Sequence, residues 1–98
     1  MIQPLNGDTA LILAVDDTPT NLVILEKALR APKYQTLKAT GGQEALDVLE
    51  CQKPDLVLLD IMMPNVDGFA VRRAMMKNPE WEAIPVIFLT ALEDTKYL

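Results

Sequence analysis

The sequence reads LILAVDDTP at residues 11–19, and this stretch decides the fold. Five apolar residues in a row, residues 11–15, suggest a strand that is buried on both faces. The run ends abruptly at Asp16-Asp17. Thr18 and Pro19 come next and suit a helix cap followed by the first helical position. The stretch therefore predicts a buried strand that leads, through two acidic residues, into a helix.

The same alternation of strand and helix continues to the end of the chain. Residues 34–39 and 55–60 predict a second and a third strand, and residues 85–89 predict a fourth. The mixed polarity of residues 34–39 favours an edge strand. Leucines at helical spacing indicate the first intervening helix, a capping box of Thr40 and Gln43 begins the second, and an Asp-Gly pair begins the third. The residues expected to face inward are Leu22, Leu25, Leu29, Ala45, Leu46, Leu49, Phe69, Ala74 and Met75. This order indicates βαβ units, and therefore an α/β fold with a parallel sheet.

Size and composition limit the classes of protein that fit. Ninety-eight residues, half of them hydrophobic, suit one domain with its own core. The net charge of −5 argues against nucleic acid as a partner. No apolar run approaches the roughly 20 residues that span a membrane, and residues 1–10 look like a short leader without the features of a signal peptide. Cys51 is the only cysteine, so no internal disulfide can form and we expect a cytoplasmic protein.

Acidic and hydroxyl side chains follow the predicted strands. Asp16 and Asp17 end the first strand, Asp60 ends the third, and Thr90 ends the fourth. In open parallel sheets, sites form outside the carboxyl ends of the strands. Carboxylates at such range repel and raise one another's pKa, and a divalent cation such as Mg²⁺ removes that conflict. Any one of these residues could instead be a cap or a turn residue, but together they indicate a metal-assisted site where a carboxylate attacks a phosphoryl group.

Three segments resemble the successive signatures of response-regulator receiver domains, a flavodoxin-like family. They read LAVDD at residues 13–17, DIMMPNVDG at residues 60–68 and FLTA at residues 88–91. The middle segment is the most specific, since an Asp is followed by Met-Pro at the third and fourth positions and then by Asp-Gly. The resemblance covers residues 11–98 and implies a doubly wound parallel sheet.

The resemblance also implies a role for individual residues. Asp60 would be the phosphoacceptor, and Asp17 would bind Mg²⁺ directly with Asp16 beside it. The backbone carbonyl of Met62 would be a further metal ligand. The hydroxyl of Thr90 and the backbone N–H of Ala91 would bind the phosphoryl group.

The chain departs from the family at its end. Receiver domains continue through a fourth helix, a fifth strand and a fifth helix, and the fifth strand ends in a lysine that pairs with the phosphoryl group. No lysine here can be assigned that role, and Lys96 and Tyr97 lie where the family has its fourth helix. We therefore expect residues 11–98 to form an incomplete receiver domain. The apolar strand at residues 85–89 would then be an exposed edge, which favours self-association through that strand or the uncovered face of the sheet.

The resemblance implies a signalling module and not an enzyme. A sensor histidine kinase or a phosphotransfer protein would phosphorylate Asp60, and an output domain outside this chain would receive the signal. Two alternatives remain open: a docking or dimerisation fragment that is never phosphorylated, and a metal-dependent phosphohydrolase. Many such hydrolases place a second Asp two residues after the nucleophile, where this chain has Met62.

Several conspicuous residues have simpler interpretations. The methionines near the third strand and third helix suit packing better than soft-metal binding. Cys51 has no histidine or basic cluster nearby to activate it. We expect Arg72 and Arg73 on a solvated helix face, and Trp81 over the loop before the fourth strand.

Overall fold

The computed structural model describes residues 9–30 and 34–89. Seven elements alternate along these residues: β1 (Ala10–Val15), α1 (Pro19–Ala28), β2 (Tyr34–Ala39), α2 (Gly42–Cys51), β3 (Leu56–Asp60), α3 (Gly68–Met76) and β4 (Val86–Leu89). The predicted α/β class is confirmed, and most boundaries lie within one residue of the expected ones. Residues 1–8, most of the predicted leader, lie outside the described residues. The predicted site residues Thr90 and Ala91 also lie outside them.

The four strands form one parallel sheet in the order β2-β1-β3-β4. The two apolar strands, β1 and β3, occupy the centre, and the mixed-polarity β2 is at an edge, as its composition predicts. Every side chain of β3 is buried. A strand buried on both faces needs apolar residues at every position, which explains the unbroken run at residues 56–59.

Helices pack on both faces of the sheet. Alternate residues of a strand point to opposite faces, so β1 and β3 each contribute to two apolar clusters. The larger cluster joins the strands to Ala45 and Leu49 of α2 and to Val71 and Met75 of α3. The smaller cluster lies on the opposite face, where Leu25 of α1 packs against it. The sheet is therefore doubly wound.

The second edge of the described sheet is β4. Ile87 is 51% exposed and Phe88 is 37% exposed. Phe88 contacts Phe69 at the start of α3, with ring centroids 5.2 Å apart and a tilt of 52°. Within the described residues, β4 is thus the exposed apolar edge that the sequence predicts.

Three local predictions were wrong. Gln43 takes no part in a capping box: α2 begins at Gly42, and Glu44 accepts hydrogen bonds from the backbone N–H and hydroxyl of Thr40. Phe69 is 48% exposed, because α3 buries Gly68, Val71 and Met75 instead. Arg72 is half-buried, and its Nη1 atom is buried without a hydrogen-bond partner in the described part of the chain, whereas Arg73 is exposed as expected.

The segment between α3 and β4 closes the larger cluster. Trp81 is buried in this cluster, and its backbone N–H donates to the carbonyl of Asn78 at 2.9 Å. Among the residues described, no helix is long and apolar enough to cross a membrane.

Candidate functional site

Three carboxylates meet at the carboxyl edge of the sheet. β1 and β3 are parallel neighbours, and their register pairs Val15 with Leu59. The residues that follow this pair are therefore brought side by side. Carboxylate oxygens of Asp16, Asp17 and Asp60 lie within 4.8 Å of one another. The predicted convergence of these residues is a feature of the structure.

The first turn of α1 holds Asp16 in place. Asp16 is buried, and its Oδ1 atom accepts a hydrogen bond from the backbone N–H of Thr18 at 2.8 Å. Its Oδ2 atom accepts a hydrogen bond from the side-chain amide of Asn21 at 3.2 Å. Thr18 is the N-cap of α1, as predicted, but its own side chain makes no capping bond. Asn21 was not predicted to be part of the site; a polar residue in the first helical turn after two acids was the available signal.

Asp60 is buried at the end of the central strand. Its side chain is 5% exposed, and its Oδ1 atom accepts a hydrogen bond from the backbone N–H of Met62 at 3.3 Å. Burial raises the pKa of Asp60, and the negative charge of Asp16 raises it further. The charge of Asp17 and a hydrogen bond with its carboxylate act in the same direction. The Met62 N–H opposes them, and the resulting pKa is about 6, against an ordinary value of 3.8.

The loop that follows Asp60, residues 61–67, is fixed at both ends. The N–H of Ile61 donates to the carbonyl of Leu89 at 3.3 Å, and the N–H of Gly68 donates to the carbonyl of Ile61 at 3.0 Å. α3 begins directly against this backbone: a Cβ atom on Gly68 would lie 2.9 Å from the Cα atom of Ile61 and would overlap the carbonyl oxygen of Asp60. The loop can approach the helix this closely only because residue 68 is a glycine.

The middle of the loop is a tight turn. Asn65 has a φ of 68°, in the left-handed region that Asn tolerates better than most residues. The N–H of Val66 then donates to the carbonyl of Pro64 at 2.8 Å. Asp67 caps α3, since its Oδ1 atom accepts from the N–H of Ala70 at 2.8 Å. The turn at residues 64–66 and the cap at Asp67 therefore give the loop its shape.

The three carboxylates form a donor set that suits a hard divalent cation. They supply only oxygen atoms, which Mg²⁺ and Ca²⁺ prefer, and they concentrate negative charge that a cation would neutralise. Burial is the largest cause of the raised pKa of Asp60, and the negative charges of Asp16 and Asp17 add to it. The residues present therefore fit a divalent metal ion.

Asp55 directly precedes β3 and has a structural role. Its carboxylate accepts a hydrogen bond from the N–H of Leu11 at 2.7 Å, and its own N–H donates to the carbonyl of Leu11 at 2.7 Å. These bonds join the start of β3 to β1, at the end of these strands that is opposite the acidic cluster. Cys51 is exposed at the end of α2.

Comparisons with known proteins agree with this geometry. Residues 12–98 match the response regulator receiver domain. The chain is 42% identical over 85 residues to the response regulator PleD of Caulobacter vibrioides, covering 87% of this chain and 19% of PleD. It is 43% identical over 81 residues to the protein PilH of Pseudomonas aeruginosa, covering 83% of this chain and 67% of PilH.

Solved structures with the same fold are also receiver domains. The receiver domain of a signal transduction histidine kinase from Syntrophus aciditrophicus superimposes with a TM-score of 0.80 at 39% identity, covering 90% of this chain and 67% of that one. The chain spans less than a fifth of PleD, so it corresponds to one domain of that longer protein. Given the matched residues, the shared fold and the acidic cluster, the chain belongs to the family of response regulator receiver domains.

Proposed function

We propose that this domain accepts a phosphoryl group on Asp60 in a two-component phosphorelay. The observation that carries the proposal is the position of Asp60, a buried carboxylate at the end of the central strand with two further carboxylates within 4.8 Å. Membership of the receiver family supports the same role. A sensor histidine kinase or a phosphotransfer protein is the proposed donor, and an output domain outside these residues is the proposed recipient of the signal.

Mg²⁺ is the proposed metal. Asp17 and Asp60 would bind it through carboxylate oxygens, together with the backbone carbonyl of Met62. Both oxygens of Asp16 already accept hydrogen bonds, so Asp16 suits a supporting role through water. When bound, the ion supplies positive charge that offsets the repulsion between these carboxylates and the phosphoryl oxygens.

The transfer itself uses a carboxylate oxygen of Asp60 as the nucleophile. This oxygen attacks phosphorus, a new P–O bond forms, and the P–N bond of the donor phosphohistidine breaks with its electron pair passing to the imidazole nitrogen. Asp60 must be ionised to attack, and at neutral pH a carboxyl group with a pKa of about 6 is mostly ionised. The N–H of Met62 fixes the orientation of the attacking carboxylate. The hydroxyl of Thr90 and the N–H of Ala91 are the proposed ligands of the transferred group.

A phosphohydrolase is less well supported. That mechanism uses a second acid two residues after the nucleophile, and this chain has the exposed, apolar side chain of Met62 at that position. Met62 can neither donate nor accept a proton.

Intact-mass spectrometry tests the proposal. The chain is incubated with acetyl phosphate, with and without Mg²⁺, beside the variants Asp60→Asn and Asp47→Asn. Asp47 is an exposed residue of α2 and provides a matched loss of one charge. We expect one phosphoryl adduct that requires Mg²⁺, persists in Asp47→Asn and disappears in Asp60→Asn. An adduct that survives Asp60→Asn would contradict the assignment of the acceptor, and turnover of a simple phosphomonoester would favour the phosphohydrolase.

A further inference from the structure

The first residue of α2 is in close contact with the loop that carries Met62. Gly42 is buried, and a Cβ atom built on it would lie 2.6 Å from the Cγ1 atom of Val66 and would overlap the carbonyl oxygen of Val66. Separations below 3.0 Å do not occur between real atoms of this kind. Only a glycine at residue 42 leaves room for Val66 in this position.

α2 is well placed to act as a fixed support for the loop. Ala45 and Leu49 are buried in the larger apolar cluster, and Glu44 accepts a hydrogen bond from the N–H of Thr40 at 2.6 Å. Residue 39, just before the helix, accepts a hydrogen bond from the N–H of Asp16 at 3.1 Å. α2 is thus held against the core, and the end of β2 that precedes it is hydrogen-bonded to Asp16 of the acidic pair.

Val66 connects α2 to the loop that follows Asp60. It packs against the larger cluster, and the loop between it and Asp60 is short and fixed at each end. Met62 lies within this loop and donates its N–H to Asp60. A displacement of Val66 must be absorbed within this short loop, by the residues between Val66 and Asp60 and by the hydrogen bond that joins Gly68 to Ile61.

We infer that Gly42 is a positioning residue for the phosphoacceptor site, acting through Val66 on the loop at residues 61–67. The inference rests on the proposed function for its meaning, but the contact itself does not depend on that function. A methyl group at residue 42 must push Val66 away by roughly 1 Å to reach an ordinary contact distance. Misplacement of a reacting group by about 1 Å can lower a rate by about 100-fold.

Gly42→Ala is the decisive variant, and Gly41→Ala is its matched control. The two glycines are adjacent, but a Cβ atom on Gly41 would have no atom within 4 Å, and its φ of −171° is extended backbone open to any residue. Alanine is the stronger helix former, so in a helix without this contact Gly42→Ala would be neutral or stabilising. The contact with Val66 reverses that expectation.

Two measurements separate positioning from general damage to the fold. The first follows backbone amide signals and hydrogen exchange in the metal-free protein by NMR. In Gly42→Ala we expect shifts at residues 60–68 in addition to those next to the substitution, and at least tenfold faster exchange of the Gly68 N–H, with β1 and β2 unchanged. The second measures Mg²⁺ affinity by calorimetry, where we expect about a tenfold loss, as for other residues that orient metal ligands. Gly41→Ala should stay within twofold of the wild-type chain in both.

A second variant keeps the inference testable if Gly42→Ala does not fold. Val66→Ala removes part of the contact without adding an atom, and Val48→Ala is its control, since Val48 is a half-buried residue of α2 packed against the same cluster. We expect weaker Mg²⁺ binding in Val66→Ala and unchanged binding in Val48→Ala. Wild-type Mg²⁺ affinity and unchanged Gly68 exchange in both Gly42→Ala and Val66→Ala would overturn the inference. Failure of the wild-type chain to bind Mg²⁺ or accept a phosphoryl group would instead contradict the proposed function, and the exchange data would still decide the role of Gly42.

Discussion

Replacing Asp60 with asparagine should stabilise the domain in the absence of divalent metal ions. Asp60 is buried beside two other acids, and ionising it places a third negative charge in that cluster. Asparagine has nearly the same shape, and its side-chain oxygen can still accept the hydrogen bond from the N–H of Met62. The substitution therefore removes an unfavourable charge and keeps the packing, so the free energy of unfolding should increase.

The pKa of Asp60 sets the size and the sign of the effect. Its pKa is about 6 in the folded state, against an ordinary value of 3.8 that we assign to the unfolded chain. The folded state holds the proton more tightly, so the contribution of Asp60 to stability is lost as the pH rises from 3.8 to about 6 and is constant above that. At about 1.4 kcal/mol per pKa unit, the loss is about 1 kcal/mol at pH 4.5 and about 3 kcal/mol at pH 7.5.

Urea denaturation in EDTA at these two pH values measures the difference. Trp81 is the only tryptophan and is buried, so its fluorescence reports unfolding. The stability advantage of Asp60→Asn should be about 2 kcal/mol larger at pH 7.5 than at pH 4.5. Asp47→Asn, at an exposed position, should show no such change. An advantage that is equal at the two pH values, or a variant less stable than the wild-type chain at pH 7.5, would refute the electrostatic account of the site.

Three further predictions follow from individual contacts. Mg²⁺ should compete with the proton on Asp60, so calorimetry should show affinity falling up to about tenfold per pH unit below pH 6, and a flat profile would contradict this competition. Asp55→Ala leaves the N–H of Leu11 without its carboxylate partner and should cost about 1–3 kcal/mol in chemical denaturation, whereas Asp47→Ala should change stability by less than about 0.5 kcal/mol. Asp67→Ala removes the cap of α3 and should cost about 1 kcal/mol, and Asp67→Asn, which can still cap, should be nearly neutral; equal losses in both would show that the cap contributes nothing.

The convergence of the three acids could be predicted from sequence because it depends on few assumptions. An apolar run that ends in an acid identifies a buried strand and places the acid at its carboxyl end. Parallel pairing of β1 and β3 then brings Asp16, Asp17 and Asp60 together whatever the details of the intervening helices. The edge position of β2 followed from composition in the same way, since a strand with alternating polar residues cannot be buried on both faces.

The errors concern the phase of helices, which is less constrained by composition. α3 begins at Gly68, and burial of Gly68, Val71 and Met75 turns Phe69 outward. Consecutive helix positions are about 100° apart, so the face that packs on the sheet can differ by one residue from the expected face even where the start of the helix is predicted correctly. The capping error at α2 has the same origin, because a helix that begins at Gly42 brings Glu44, and not Gln43, back to Thr40. Asn21 was missed because its contact with Asp16 depends on side-chain conformation.

The stability of the sheet is what allows the acidic cluster to persist. Repulsion among three carboxylates would normally be relieved by moving one of them into water, and Asp17 is indeed exposed. Asp60 cannot follow, because it ends a strand whose five residues are all buried and because Gly68 of α3 lies against its carbonyl group. The charge conflict is therefore retained in the folded domain, and it raises the pKa of Asp60 together with burial, which is the larger cause. A bound cation or a proton relieves the conflict at that site without any movement of the backbone, which makes ligand binding at this edge of the sheet favourable wherever Asp60 is ionised.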